Sequence, residues 1–399
     1  MRIGHLISNY FPSMGGAQVC IHDLAGRLVK NNHEAVVMTP RRGSGSKDSA
    51  FKYKIVRLNP LLNRLLFANF PLGKLYLEHL LLELQKKYNF DVWQITMGYP
   101  LGVASVDFFN RNNIPSILQC EGEDIQIVPE IGYGYRLNKN ADRLVRENYR
   151  KFTALVAISN SVKQEYLSLN IPENKITIIP HAVHCEKFAP MRDVERKSVR
   201  KELGVEDNQK LILTAGRNHP KKGFKYIPQI IKRLAECNLD FRWLLVGKGS
   251  SSIKLLAEKE GVGSYMLINE ELKPGISKSG EVEVPHNQLV RYYRASDMFV
   301  FPTLIETFGI VLVDAMAAGL PIVTTNVPGV NCIIKNNENG LMNKAGDVEA
   351  LTESILKVFS DDSLAQSLRQ KALMDSKNYD WSRVTESYLA LYHKILEAR

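Results

Sequence analysis

The chain has 399 residues, 45% hydrophobic and 24% charged, a composition that excludes disorder, a collagen repeat and a coiled coil. This length fits about two domains, each able to bury a core. The formal net charge of +10 invites a polyanion, an anionic membrane surface or a phosphate-rich ligand as partner.

In chain order, Arg2–Ser8 reads as a strand that the first residues enter directly, with no charged-then-apolar leader. Gln18–Asn31 reads as a helix with its apolar stripe at Val19, Leu24 and Leu28, and Ala35–Thr39 as the next strand. The segment Arg41–Lys74 then carries eight basic residues and one acid, a net +7, so most of the excess charge is local. The strand–helix rhythm returns later. Strands are expected at Leu211–Ala215, Phe241–Val246, Met298–Phe301 and Pro321–Thr325, and helices at Tyr226–Glu236, Leu289–Ala295 and Ile310–Ala318. Such alternation, with nearly continuous apolar strands, marks parallel α/β sheets.

The polar stretch Glu186–Asn208, which contains Pro190, reads as a linker. It divides the chain into two doubly wound, Rossmann-like domains, 1–185 and 200–375. Residues 376–399 hold a further helix, and one reading packs it back on the N-terminal domain. Five scattered cysteines (Cys20, Cys120, Cys185, Cys237, Cys332) form no Cys-x-x-Cys pair and read as reduced thiols of a cytoplasmic protein. No run approaches the roughly 18 apolar residues that a membrane span needs.

Open parallel sheets bind ligands at the carboxyl ends of their strands. After the first strand, Met14-Gly15-Gly16-Ala17-Gln18 opens a helix. Two glycines there let backbone N–H groups approach an anion under the helix dipole, and a tight turn needing φ > 0 explains them equally well. After Leu211–Ala215 comes Gly216-Arg217-Asn218-His219-Pro220-Lys221-Lys222-Gly223, which places an arginine fork and a lysine point charge at one strand end. That pairing suits a diphosphate. In Phe301–Gly319, Glu306 lies in the loop after a strand, and Asp314 lies eight residues on, inside the apolar run Ile310–Ala318. Eight residues of helix span about 12 Å, so the two acids reach different parts of one extended ligand and do not share a proton. A carboxylate at a helix mouth is also explained by the helix dipole, but one inside an apolar run needs a partner.

Glu306-x₇-Asp314 within "ETFGIVLVDAMAAG", with Gly216-Arg217 and Lys222-Gly223 upstream, closely resembles the retaining glycosyltransferases of family 4. "GGAQ", "AISNSVKQEY" at Ala157–Tyr166, "LVGKG" at Leu245–Gly249, "PGV" at Pro328–Val330 and "NGLM" at Asn339–Met342 are similar to family landmarks, in family order. The resemblance implies a GT-B fold, two Rossmann-like domains facing a cleft, with a UDP- or GDP-type sugar nucleotide as co-substrate and no cofactor or metal. It implies that Arg217 and Lys222 hold the diphosphate, Glu306 the transferred sugar and Asp314 the ribose. Gly15, Gly16, Gly216, Thr307, Phe308, Gly309 and Ile310 complete the donor-binding set. No Asp-x-Asp motif occurs, which agrees with a metal-independent enzyme.

Three positions depart from the family pattern. Asp314 stands where glutamate is usual. Glu121, in Cys120-Glu121-Gly122-Glu123-Asp124, replaces a histidine, so Glu121 or Asp124 is expected to serve the acceptor side, with Glu121 also a catalytic candidate. His181-Ala182-Val183-His184 replaces Asn-Gly-Val-Asp and reads as structural. Apolar residues interleaved with Arg57, Arg64 and Lys74 suit docking on an anionic membrane, and a solvated loop followed by a core helix is the alternative. The acceptor implied is a glycan or lipid-linked saccharide, and nucleic acid is not expected as a partner. A GT-B epimerase or phosphorylase, and a non-catalytic binder of sugar nucleotides or anionic surfaces, are the competing readings. An oxidoreductase is disfavoured, because Gly247-Lys248-Gly249 is followed by Ser252 and leaves Gly-x-Gly-x-x-Gly incomplete.

Overall fold

A computed structural model describes residues 1–40, 48–189, 191–270, 272, 275–276 and 280–398. Arg41, Arg42 and Lys47 of the basic segment therefore lie outside the described residues. The chain forms two compact units. One takes Met1–His181, Ile276–Val284 and Ser382–Arg399, and the other Ala182–Gly275 and Pro285–Trp381.

In the first unit the strands are β1 (Arg2–Ile7), β2 (Glu34–Thr39), β3 (Lys54–Arg57), β4 (Val92–Thr96), β5 (Ser116–Gln119), β6 (Ala154–Ala157) and β7 (Ile176–Ile178). They pair in parallel in the order β3-β2-β1-β4-β5-β6-β7. Its helices are α1 (Gly16–Lys30), α2 (Leu61–Ala68), α3 (Phe70–Tyr88), α4 (Val103–Arg111), α5 (Lys139–Asn148) and α6 (Asn160–Ser168). Every residue of β4, β5 and β6 is buried, which explains why these strands lack the alternation of a half-exposed sheet. The "AISNS" segment has a local reason for its form: Ser159 Oγ accepts from Val162 N at 3.2 Å and caps α6.

The second unit begins with α7 (Cys185–Phe188) and α8 (Asp193–Glu202). The expected linker is thus largely helical. Its polarity is misleading because, beside Val199, α8 buries an arginine: Arg200 is 1% exposed. The Arg200 guanidinium donates to Asp297 Oδ2 (3.1 Å) and to the carbonyls of Ala295 (3.3 Å), Glu206 (3.0 Å) and Gln209. There follow in chain order β8 (Lys210–Ala215), α9 (Ile227–Glu236), β9 (Phe241–Val246), α10 (Ser250–Lys259), β10 (Met266–Asn269), β11 (Gly275–Ile276), β12 (Val282–Glu283), which falls in the first unit, α11 (Asn287–Ala295), β13 (Met298–Phe301), α12 (Ile310–Ala317), β14 (Ile322–Thr325) and β15 (Leu341–Asn343). Helices α13 (Val348–Ser360) and α14 (Asp362–Ser376) complete this unit, and α15 (Trp381–Glu397) belongs from Ser382 on to the first unit. The second sheet runs β10-β9-β8-β13-β14-β15, again all parallel.

Both sheets reverse their direction of growth once, between β1 and β4 in the first and between β8 and β13 in the second. Open sheets leave a crevice at the carboxyl ends of such neighbouring strands. The loops that carry the expected donor-binding residues of the second unit leave β8 and β13. Among the described residues no helix is long and apolar enough to cross a membrane.

Candidate active site

The loop after β8 begins with Gly216 at φ +142°, and Gly247, at the end of β9, passes so close that a Cβ on it would stand 2.1 Å from Gly216 O. Arg217 is exposed. The chain then makes a short turn over Pro220–Lys222, where Lys221 N donates to His219 Nδ1 at 3.3 Å. Gly223, at φ +65°, ends it. A Cβ there would lie 1.9 Å from Pro302 O, so only glycine lets this turn rest on the end of β13.

The β13 loop is tied to that turn. Lys221 O accepts from Leu304 N (2.7 Å), Ile305 N (3.2 Å) and Thr303 Oγ1 (3.0 Å). These bonds set Glu306 against Lys222, whose ammonium pairs with Glu306 Oε2 and lies 5.0 Å from the centre of the Phe301 ring. Glu306 is 6% exposed, and its Oε1 accepts from Thr307 N at 3.3 Å. Burial works to raise the Glu306 pKa, but Lys222 and Lys221 outweigh it and hold the carboxyl below its ordinary value. On the neighbouring His219, burial lowers the imidazole pKa, and Lys221, Arg217 and Lys222 lower it further. Two strand-end loops therefore meet, the β8 loop setting a strong positive field around the Glu306 carboxylate of the β13 loop.

Helix α12 starts at this point. Gly309, at φ +100°, is its N-cap residue, and Ile310 its first turn. Thr307 and Phe308 are buried, the Phe308 ring lying edge-on to Tyr379 with centroids 5.8 Å apart. Asp314 is 7% exposed inside α12, and its charge adds to burial in raising the Tyr293 pKa. The second unit thus brings together Gly216, Arg217, Lys222, Glu306, Thr307, Phe308, Gly309 and Ile310, with Asp314 further along the same helix.

Several positioning residues escaped the sequence reading. Lys221 acts through its carbonyl and Thr303 through its hydroxyl. Gly329 leaves room for the Glu306 backbone, since a Cβ on it would stand 2.2 Å from Glu306 O. The signal was present for Gly329, in the "PGV" landmark, but without a role attached to it.

In the first unit Gly15 and Gly16 are exposed at the start of α1. Gly15 is extended, at φ −167°, and neither glycine takes a positive φ, which removes the tight-turn explanation. Asp124 is fully buried. Its carboxylate accepts from Gly98 N (2.7 Å), Glu121 N (2.9 Å) and Gly122 N (2.9 Å), so it holds the loop together and is not presented to a ligand. Glu121, at the carboxyl end of β5, retains an exposed edge with 10% of its side chain accessible.

The cations expected to meet a membrane divide. Arg57 forks onto Asp48 (3.0 and 2.7 Å) and donates to Phe11 O (2.7 Å), and Lys74 pairs with Asp107 at 2.6 Å. Both are committed inside the unit, and Arg64 is exposed on α2.

Residues 14–187 match the family Glycosyltransferase Family 4, and residues 195–374 match Glycosyl transferases group 1. The chain belongs to the family 4 glycosyltransferases. An uncharacterized glycosyltransferase of Methanocaldococcus jannaschii is 24% identical to it over 421 residues, covering 100% of this chain and 99% of the relative. The UDP-Gal:alpha-D-GlcNAc-diphosphoundecaprenol alpha-1,3-galactosyltransferase of Escherichia coli is 27% identical over 213 residues, 52% of each protein. The crystal structure of a glycosyltransferase from Rickettsia africae superposes with a TM-score of 0.81 at 20% identity, over 100% of both chains. The two parallel-sheet units of this glycosyltransferase are those of the GT-B fold.

Proposed function

We propose that this glycosyltransferase is a retaining, metal-independent enzyme of the hexosyltransferase type. It moves a sugar from a nucleotide diphosphate to a hydroxyl of a glycan or lipid-linked saccharide, in the synthesis of a surface polysaccharide or glycolipid. The observation that carries this reading is the Lys222–Glu306 pair between two strand ends, with Arg217 exposed beside it. Negative charge grows on the diphosphate as the glycosidic bond breaks. Lys222 and Arg217 stabilise it, and Lys222 is already held in place by Glu306 and the Phe301 ring, which is the efficient form of electrostatic catalysis. Glu306 is held ionised and accepts from hydroxyls of the transferred sugar, Asp314 serves the ribose, and the amides at the start of α12 and at Gly15 and Gly16 serve the phosphates. The absence of Asp-x-Asp from the sequence supports cationic side chains in place of a divalent ion.

The E. coli relative, whose name gives a UDP-sugar donor and a diphosphoundecaprenol-linked acceptor, supports a UDP-type donor and a lipid-linked acceptor here. With such an acceptor the enzyme is read as cytoplasmic and peripheral to the membrane. The test is transfer measured with a panel of UDP- and GDP-sugars in the presence of EDTA. Wild-type protein should turn over one of them. Lys222→Ala and Glu306→Gln should each lose about two to three orders of magnitude in kcat/KM while melting cooperatively. Full activity in either variant removes the site assignment, and strict dependence on a divalent ion removes metal independence.

A further inference from the structure

The first unit contains a buried polar chain that the donor chemistry leaves unused. Gln94 in β4 and Gln119 at the end of β5 are both fully buried. Tyr392 of α15 donates to Gln94 Oε1, and Gln94 Nε2 donates to Gln119 Oε1 at 2.8 Å. The same Gln119 oxygen accepts from Tyr388 OH, also at 2.8 Å. With its carbonyl so occupied, Gln119 turns its Nε2 to Glu121 Oε1 at 2.7 Å. The second oxygen of Glu121 meets His181 Nε2 at 2.9 Å. A carboxylate only accepts, so the imidazole nitrogen in this contact carries the hydrogen.

His181 stands three residues beyond β7 and has 4% of its side chain exposed. Burial alone would push its pKa down. Glu121 overrides burial, aided by the adjacent Cys20, and the imidazole is held well above its ordinary value. The contact is therefore an imidazolium–carboxylate pair whose two hydrogen bonds, from Gln119 and His181, grip opposite oxygens of Glu121. An apolar pair of the same volume would stabilise the unit as well or better, because burying two charges costs desolvation. What the charged arrangement gains is a carboxylate of fixed orientation. Each oxygen keeps a further lone pair, and the exposed edge of the side chain lies at the carboxyl end of the sheet, where ligands bind.

We infer that His181 is a positioning residue, which together with Gln119 fixes Glu121 as an ionised, accept-only group for a hydroxyl of the saccharide acceptor. This rests on the transferase reading and adds to it the partner of Glu121, from a segment whose sequence reads as structural.

The test uses the full-length protein and four variants: Glu121→Gln, His181→Gln, His181→Leu and the double variant Glu121→Gln/His181→Leu. Nitrogen-15 spectra of the imidazole rings, with His181 assigned by its loss in His181→Gln, should show both ring nitrogens protonated near neutral pH. The ring should become neutral in Glu121→Gln. A neutral His181 in the wild type overturns the proposal. Kinetics with UDP-galactose and UDP-glucose as donors and a panel of alkyl glycosides as acceptors supply the second reading. His181→Leu should raise the acceptor KM about tenfold, the worth of one charge-assisted hydrogen bond, with the donor KM unchanged. His181→Gln, which keeps an N–H donor, should restore most of it, and the double variant should be no worse than Glu121→Gln. Additive losses, or a loss confined to donor KM, overturn the role. If no nucleotide sugar is turned over by the wild type, the transferase reading falls, and the acceptor role with it. A charged His181 in that protein would show the pair itself to be intact.

Discussion

Lys222 and Glu306 occupy a place where an unpaired charge is costly. Removing one partner of a buried ion pair leaves an uncompensated charge, at a cost of about 3–5 kcal/mol, whereas removing both costs far less. Lys222→Ala should therefore be less stable in urea than Lys222→Ala/Glu306→Gln, although both lack transfer activity. Equal stability would mean that the pair is solvated. His5 in β1 poses the opposite case. It is 1% exposed, and neither ring nitrogen has a hydrogen-bond partner among the described residues. Burial lowers its pKa from 6.5 to about 3. A histidine whose folded value lies below its unfolded value is stabilising only while neutral. Its contribution is complete above about pH 6.5 and is lost as pH falls toward 3, at about 1.4 kcal/mol per pH unit. Denaturant titrations at pH 7, 6 and 5 should show that slope in the wild type, and a reduced slope in His5→Leu. Neither feature is visible in sequence: the ion pair joins residues 84 apart, and an unpartnered histidine reads like any other.

At the scale of elements, the strand-end loops are held by close backbone approaches more than by side chains. Gly329→Ala puts a methyl group within 2.2 Å of Glu306 O and should cost about 1–3 kcal/mol, displacing Glu306 and abolishing transfer. Gly26→Ala, in α1 with open space around the new Cβ, should instead add about 0.5–1 kcal/mol with activity intact. Thermal melts and assays of the two variants check this contrast. The α2–α3 surface carries Leu61, Phe67, Leu72 and Leu75, each about half exposed or more, beside Arg64. If it docks on a membrane, Leu72→Ser/Leu75→Ser should reduce sedimentation with anionic vesicles. Arg57→Ser and Lys74→Ser should lower stability instead, because each breaks an ion pair within the unit. Sedimentation unchanged by the leucine variant would end the docking proposal. The strands were legible because burial on both faces makes them continuous apolar runs, as in β9 and β13, whose limits agree with those expected. Helix α8 was not, because a buried arginine bonded to Asp297 and three backbone carbonyls is indistinguishable in sequence from an exposed one.

At the scale of the molecule, the two sheets repeat one strand order, and each offers its carboxyl edge at its own reversal point. The family motif places the proposed donor residues of the second sheet in about a hundred consecutive positions, from Gly216 to Asp314, which is why they could be read. The first unit keeps its polar chain in residues 94, 119, 121, 181, 388 and 392, a set that no local spacing reveals and that only the sheet order and the last helix assemble. That helix has a consequence for synthesis. Tyr388 and Tyr392 lie 269 and 298 residues from the glutamines that receive their hydroxyl hydrogens. Domains fold from the N-terminus as they emerge, at about 5–20 residues per second. The first sheet must therefore wait, with two buried amides incomplete, until α15 has been made, long after the sheet's own strands. A chain stopped at Trp381 should aggregate or bind chaperones, so α15 ties maturation of the first sheet to synthesis of the second.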